Sequence, residues 1–209
     1  MDHTILIVDD SPFIVDGLVA ILKREGYTPI PAPGGNECLE TLRHSHPDLI
    51  LLDIMMEPMD GWETLEQIKK DPATRDIPVL MFSAKKISFE EAQEHHLDID
   101  DFVSKPVNPA QLMSSIRQIF DRRNAVKMEA RVAEGAGLDQ ALIGEYTSLR
   151  TAVEVDKNLV AVLKNARGIS RPGSEVSPDD VRAIQTLEEK IAANEKRLRE
   201  INELFSRTP

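Results

Sequence analysis

The hydrophobic pattern changes rhythm once along the chain. Through residue 121, short apolar runs rich in Ile, Val and Leu alternate with stretches whose apolar positions recur every three or four residues. The runs 4-TILIV-8, 28-TPIP-31, 49-LILL-52, 78-PVLMF-82 and 101-DFVS-104 read as strands. Their near-continuous hydrophobicity is that of parallel strands covered on both faces. Helices are predicted between them over 12–25, 35–45, 61–70, 88–97 and 109–121. Pro12 and Pro109 suit first helical positions, and Ser88 and Asn108 suit N-caps. Glu91 and Gln111 stand where capping boxes want them, and Gly26 follows the first helix as a C-capping glycine would. Strand and helix in alternation imply an open, doubly wound parallel sheet, whose crevice lies beyond the carboxyl ends of the strands.

After residue 121 the strand-like runs stop. The helix that begins at Pro109 is expected to continue through 122-RRNAVKMEARVAEG-135, where helix-forming residues persist up to Gly135 and Gly137. A second segment, 138–167, repeats apolar residues at Leu142, Tyr146, Leu149, Val153, Val160 and Leu163, with Asp156 interrupting. A neighbouring row of Ala152, Val155, Leu159 and Val162 widens the stripe, as for a helix packed on more than one partner. The stretch 168-GISRPGSEVSPDD-180 reads as a loop, with Ser177 as an N-cap and Pro178 at the first helical position. The last segment keeps a heptad through Ile184, Leu187, Ile191, Asn194, Leu198, Ile201 and Phe205. Two packings satisfy it: an intramolecular helical hairpin docked on the extended fifth helix, or a coiled coil that makes a homodimer. Asn194 occupies a seam position, where a polar residue either fixes register or is tolerated at an edge. The expected division is 1–123 and 124–209.

Composition narrows the function classes. Hydrophobic residues at 41% and charged residues at 29% are those of a soluble globular protein. No apolar run approaches the ~20 residues that span a bilayer, so no membrane association is expected. TILIV begins after three residues, leaving no room for a signal peptide. A single cysteine, Cys38, points to a reducing, cytoplasmic setting. The net charge of −11 is uneven: residues 1–121 carry 22 Asp+Glu against 10 Lys+Arg, whereas 122–209 carry 14 against 15. An acidic first portion and a near-neutral second one argue against nucleic acid as a partner. Residues 122–209 hold no His and no Cys, which excludes a histidine phosphotransfer domain and a zinc module. Tyr146 and Phe205 are the only aromatic residues there, so single strands find no stacking platform. What remains is a helical interaction module. The five histidines, His3, His44, His46, His95 and His96, lack metal-ligand spacing and read as solvated.

The candidate chemistry sits at the strand ends. Asp9 and Asp10 follow the first strand, Asp53 the third, Ser83 the fourth, and Lys105, before Pro106, the fifth. Strands side by side would gather three carboxylates, a hydroxyl and an ammonium at one edge. Close carboxylates repel unless a cation joins them. Carboxylates without His or Cys suit a hard, oxygen-seeking ion such as Mg²⁺. The lysine supplies a point charge for a phosphate and the serine a neutral donor. Such a set suits phosphoryl transfer to a carboxylate, with an aspartyl phosphate as the covalent intermediate.

On Asp9-Asp10, Asp53 followed by 59-MDG-61, 83-SA-84, and 105-KP-106 with Phe102 three positions earlier, residues 3–121 resemble the receiver domains of two-component response regulators. The resemblance implies a (βα)5 sheet of flavodoxin-like order 2-1-3-4-5, followed here by an all-α hairpin or coiled coil. It implies that Asp53 accepts the phosphoryl group from a sensor histidine kinase or a small phosphodonor, in a reaction that the domain itself catalyses. It also implies that Asp10 and Asp53 ligate Mg²⁺ with the backbone carbonyl of Met55, while Asp9 helps mainly through water. Lys105 and Ser83 would hold phosphoryl oxygens, and Phe102 would repack when Ser83 moves. The switched face would comprise the fourth predicted helix, the fifth strand and the fifth predicted helix. Two departures stand out. The proline usual four residues after the acceptor is replaced by Glu57, with Pro58 next, which brings Glu57 toward the site entrance. A usual Gly-Ala before the fifth strand is replaced by 97-LDID-100. Met55 and Lys85 flank the path of an attacking water and are neither acids nor amides, which implies slow self-hydrolysis. The rival readings are a DNA-binding transcriptional regulator and a constitutive coiled-coil scaffold with a regulated dock.

Overall fold

The structure, a computed structural model, describes residues 3–84, 99–135, 139–166 and 178–207. The expected fourth helix at 88–97, with its Ser88 cap and Glu91, lies outside these residues, as do Lys85, His95, His96, the 168–177 loop and its Ser177 cap. The strands are β1 (Thr4–Val8), β2 (Thr28–Ala32), β3 (Leu49–Asp53), β4 (Val79–Ser83) and β5 (Asp101–Ser104). They form one parallel sheet in the order β2-β1-β3-β4-β5. Every residue of β3 and β4 is buried. Side chains alternate between the two faces of a strand, so both faces of the sheet are covered. Pro29 and Pro31 cannot donate to a ladder, and accordingly β2 is an edge strand.

The helices are α1 (Pro12–Arg24), α2 (Gly35–Leu42), α3 (Gly61–Lys70), α4 (Pro109–Gly135), α5 (Gln140–Ala166) and α6 (Pro178–Arg207). Helix α1 ends as its sequence asks. Gly26 adopts φ +86°, and Tyr27 N–H reaches back to the Leu22 carbonyl at 3.0 Å. Helix α2 stops earlier than the expected residue 45. The Ser45 hydroxyl takes the Thr41 carbonyl at 2.8 Å, and Pro47 disfavours helix at the residue before it. Asn108 caps α4, accepting Ala110 N–H at 2.9 Å and Gln111 N–H at 3.3 Å. Helix α4 runs without a break to Gly135. The chain forms two compact units, and the boundary between them falls inside α4, between Ile116 and Arg117.

In the second unit, α5 and α6 form an antiparallel hairpin, as the pairs Glu145–Arg197 and Lys164–Glu188 require. The heptad of α6 is consumed within the chain: Ile184, Leu187, Ile191, Leu198 and Ile201 are buried, while Asn194 is half-buried. On α5 the buried row is Ile143, Tyr146, Val153, Val155 and Val160, so the seam opens at Ile143 rather than Leu142. Asp156 does not interrupt the seam from outside. It is 0% exposed, and its Oδ2 lies 3.4 Å from Lys190 Nζ. A buried charge needs such a partner, because its desolvation is otherwise uncompensated.

Two outcomes follow from this packing. Cys38 is fully buried, and burial pushes its thiol up to about 12 from 9.0. Its thiolate fraction is thereby about a thousandfold lower than that of a free thiol, and the native chain at pH 8 is expected to react with Ellman's reagent only as fast as it opens. In the hairpin, Lys190→Met leaves the Asp156 carboxylate buried and is expected to cost about 1–3 kcal/mol in denaturant melts. Lys164→Met removes an exposed pair and is expected to cost under about 1 kcal/mol.

Candidate functional site

The site follows from register. Val8 of β1 lies opposite Leu52 of β3, and Asp53 opposite Phe82 of β4. The residues that end these strands or follow them therefore share one edge of the sheet. Asp9 and Asp53 are 0% and 3% exposed, whereas Asp10 faces solvent. Carboxylate oxygens of the three lie within 4.8 Å of one another.

Lys105 enters this group from the end of β5. Its Nζ donates to Asp9 Oδ2 at 2.8 Å and to Asp53 Oδ2 at 2.7 Å. The ammonium also rests 4.7 Å from the centre of the Phe82 ring, whose face is negative. The two buried carboxylates are otherwise unlike. Asp9 Oδ1 accepts the Ser11 N–H at 2.8 Å, so both of its oxygens are engaged. Asp53 Oδ1 is buried and accepts no hydrogen bond of ordinary geometry. Burial raises the pKa of Asp53 above its ordinary value. The Lys105 hydrogen bond and charge and the nearby Met55 backbone oppose the rise, and the Asp9 charge adds to it.

The loop after Asp53 is held by α3. Gly61 N–H donates to the Ile54 carbonyl at 2.9 Å. A Cβ on Gly61 would collide with the Asp53 carbonyl and the Ile54 Cα, so glycine permits the close approach. Asp60 and Glu63 form a reciprocal capping box at this helix start, with bonds of 2.8 and 3.1 Å. The Glu57–Pro58 and Lys105–Pro106 peptide bonds are cis.

Ser83, buried, ends β4 one residue beyond Phe82, and its carbonyl accepts Lys105 N–H at 2.8 Å. Phe102 is buried in β5 opposite Met81. Met55 lies two residues past Asp53 with its side chain 56% exposed. The register thus joins Asp9, Asp10, Asp53 and Lys105 into one cluster, with Ser83 at the same edge. Glu57 is exposed and stands outside the carboxylate group. The 97-LDID-100 departure has a structural use: Asp100 Oδ2 accepts Val79 N–H at 3.0 Å, tying the approach of β5 to the start of β4. Phe82 was not singled out by the sequence reading. Its place before Ser83 in a buried strand was the available signal.

The donor set fits a hard divalent cation. Three carboxylates and one ammonium sum to a formal −2, which such an ion would cancel, and the unpartnered Asp53 Oδ1 is an oxygen ready to ligate.

Comparison with known proteins agrees with this geometry. Residues 5–117 match the response regulator receiver domain family, and residues 122–209 match the family described as Metanogen output domain 2. The chain is 32% identical over 149 residues to the alkaline phosphatase synthesis transcriptional regulatory protein PhoP of Bacillus subtilis. That alignment takes in 71% of this chain and 61% of the relative. The chain thus spans about three-fifths of the length of the curated relatives it matches. Among solved structures, a CheY-like receiver domain protein from Methanospirillum hungatei is 30% identical with a TM-score of 0.56, covering 60% of this chain and 98% of that one. A receiver domain of a signal transduction histidine kinase from Syntrophus aciditrophicus is 31% identical with a TM-score of 0.53, covering 57% and 90%. The strand order, the acidic edge and the family match together make this chain a member of the response regulator receiver family.

Proposed function

We propose that the chain accepts a phosphoryl group on Asp53 from a sensor histidine kinase, with Mg²⁺ bound, and passes the resulting change to its helical portion. The observation that carries this reading is the asymmetry of the buried carboxylates. Lys105 clamps both, but only Asp53 keeps an oxygen without a hydrogen bond. Asp53 is therefore the candidate nucleophile and Asp9 the fixed neighbour.

On this reading an Asp53 oxygen attacks phosphorus as the donor P–N bond breaks, and the departing imidazole nitrogen takes a proton from solvent. Asp10, Asp53 and the Met55 carbonyl would hold Mg²⁺, with Asp9 acting through water. The bound ion supplies charge neutralisation at the phosphoryl oxygens. Lys105 and the Ser83 hydroxyl take the remaining oxygens. A phosphoryl group adds about −1.5 to −2 charge, so Lys105 must exchange its carboxylate partners for phosphate. Ser83 ends β4 and Lys105 follows β5, while Phe102 is buried earlier in β5, opposite Met81. Helix α4 follows directly and runs on into the second unit, which makes it the candidate transmission element. Residues 124–209 would then act as a helical interaction module, with homodimerisation among its outcomes.

A second reading is regulation of transcription, favoured by the names of the PhoP and PhoB relatives. It requires that the helical portion bind DNA, which its near-neutral charge does not favour. A salt-dependent mobility shift with DNA would support it. Sedimentation with and without beryllofluoride and Mg²⁺ separates a switched assembly from a constitutive scaffold.

Incubated with Mg²⁺ and acetyl phosphate, the chain is expected to gain one phosphoryl group by intact mass, and Asp53→Ala to gain none. Undiminished labelling of the variant would overturn the assignment. In EDTA, Asp53→Asn is expected to melt a few degrees higher than the wild type, since it removes a buried charge costing about 1 kcal/mol. Added Mg²⁺ should raise the melting temperature of the wild type and leave that of Asp53→Asn nearly unchanged.

A further inference from the structure

Strands β1, β3 and β4 contain one aromatic residue, Phe82, which directly precedes Ser83. Its ring is almost fully buried, and in the sheet it stands opposite Asp53 of β3 and Val103 of β5. The Lys105 ammonium lies 4.7 Å from the ring centroid, on a side chain that is 15% exposed. Two of its three N–H donors go to Asp9 Oδ2 and Asp53 Oδ2. A cation over an aromatic face is attracted by the ring quadrupole, and the attraction grows as water is withdrawn. An aliphatic side chain of the kind that fills the rest of β4 would occupy the same core position without that attraction.

Resting on the proposed phosphoacceptor role of Asp53, we propose that Phe82 is a positioning residue, whose ring holds the Lys105 ammonium in the cluster while that ammonium trades carboxylate oxygens for phosphoryl oxygens. The two kinds of contact respond differently to the trade. Hydrogen bonds to Asp9 and Asp53 are directional, and they must lengthen or break as the carboxylate oxygens turn toward a divalent cation and a phosphoryl group. The ring's attraction needs only that the ammonium stay near the ring face, so it survives a change of acceptor. It also gains weight in the loaded site. A phosphoryl group and its cation would cover the exposed remainder of Lys105, and an aromatic face holds a desolvated ammonium about twice as strongly as an exposed one. Phe82 thereby favours the phosphorylated state over the empty one, rather than both alike. It makes and breaks no covalent bond itself; the bonds that change are those of the transfer to Asp53.

The test replaces Phe82 in the full chain with mono-, di- and trifluorinated phenylalanine, which keep the ring's shape while progressively draining its face of negative charge. A cooperative melt in EDTA certifies each variant as folded. Affinity for beryllofluoride in the presence of Mg²⁺, an equilibrium readout, is expected to fall stepwise with fluorine number, by about three- to tenfold at the trifluorinated ring. The rate of labelling by acetyl phosphate should fall in the same order, and Phe82→Leu should lose at least as much as the trifluorinated ring. Loss on Phe82→Leu with no trend across the fluorinated rings marks packing alone and overturns the positioning role, as does a flat response throughout; both leave Asp53 as acceptor. A wild-type chain that neither binds beryllofluoride nor gains phosphate overturns the acceptor role instead.

Discussion

A carboxylate at the tip of a fully buried strand is the constraint around which the first unit is organised. The apolar run 49–52 is shielded on both faces, and Asp53 closes it almost without contact with solvent. Left alone, that charge would be unsupportable. One ammonium is shared between it and Asp9, and four strands, β1, β3, β4 and β5, must be in register for that sharing to occur. Gly61 and its capping box then hold the loop after Asp53. The neutralisation stays incomplete, since one lysine cannot offset three carboxylates. The edge therefore keeps a negative excess that a divalent cation would offset.

The second unit solves a related problem with opposite materials. A pair of helices about 30 residues long has a narrow seam, and apolar contacts alone specify its sliding position weakly. Asp156 is buried within that seam beside Lys190, and a bidentate Arg197–Glu145 pair at 2.7 and 3.0 Å brackets the other end. An axial slip would strand the Asp156 charge in an apolar environment. The buried pair is better understood as fixing register than as adding stability, because ion pairs removed from water return little net energy.

The sequence made the sheet legible because parallel strands buried on both faces leave an unambiguous signature: continuous Ile, Val and Leu runs that end at charged or hydroxylic residues. Asp9, Asp53 and Ser83 could be read for the same reason, each being the first polar residue after such a run, with Asp10 and Lys105 one position further on. Phe82 escaped notice because an aromatic in a buried strand looks like core, and its second use as a ring beneath an ammonium depends on where Lys105 reaches. Helical periodicity was less exact. A 3.6-residue repeat leaves a one-residue ambiguity in phase, which is why the seam of α5 begins at Ile143. It also treats any charge as an interruption, so Asp156 looked like a break in a stripe that in fact encloses it.

The same contrast bears on how a signal would travel. Residues 1–121 carry a formal −12, and the proposed chemistry is an exchange of charge at one edge. The hairpin is near neutral overall, its heptad already satisfied inside the chain. Long-range electrostatics therefore offers little means of communication, and screening at physiological salt, about 8 Å, reduces it further. The proposed function would instead need a mechanical route through covalent and packed structure. Among the described elements α4 meets that requirement directly, because its backbone hydrogen bonds continue across the boundary at Ile116–Arg117 without interruption. From residue 121 to its end, none of its side chains with a defined position is buried. What ties that stretch to the hairpin is polar: Glu129 accepts the Tyr146 hydroxyl at 2.8 Å and pairs with Arg150 at 3.7 Å, so a shift imposed on the helix would be felt through directional contacts rather than through an apolar core.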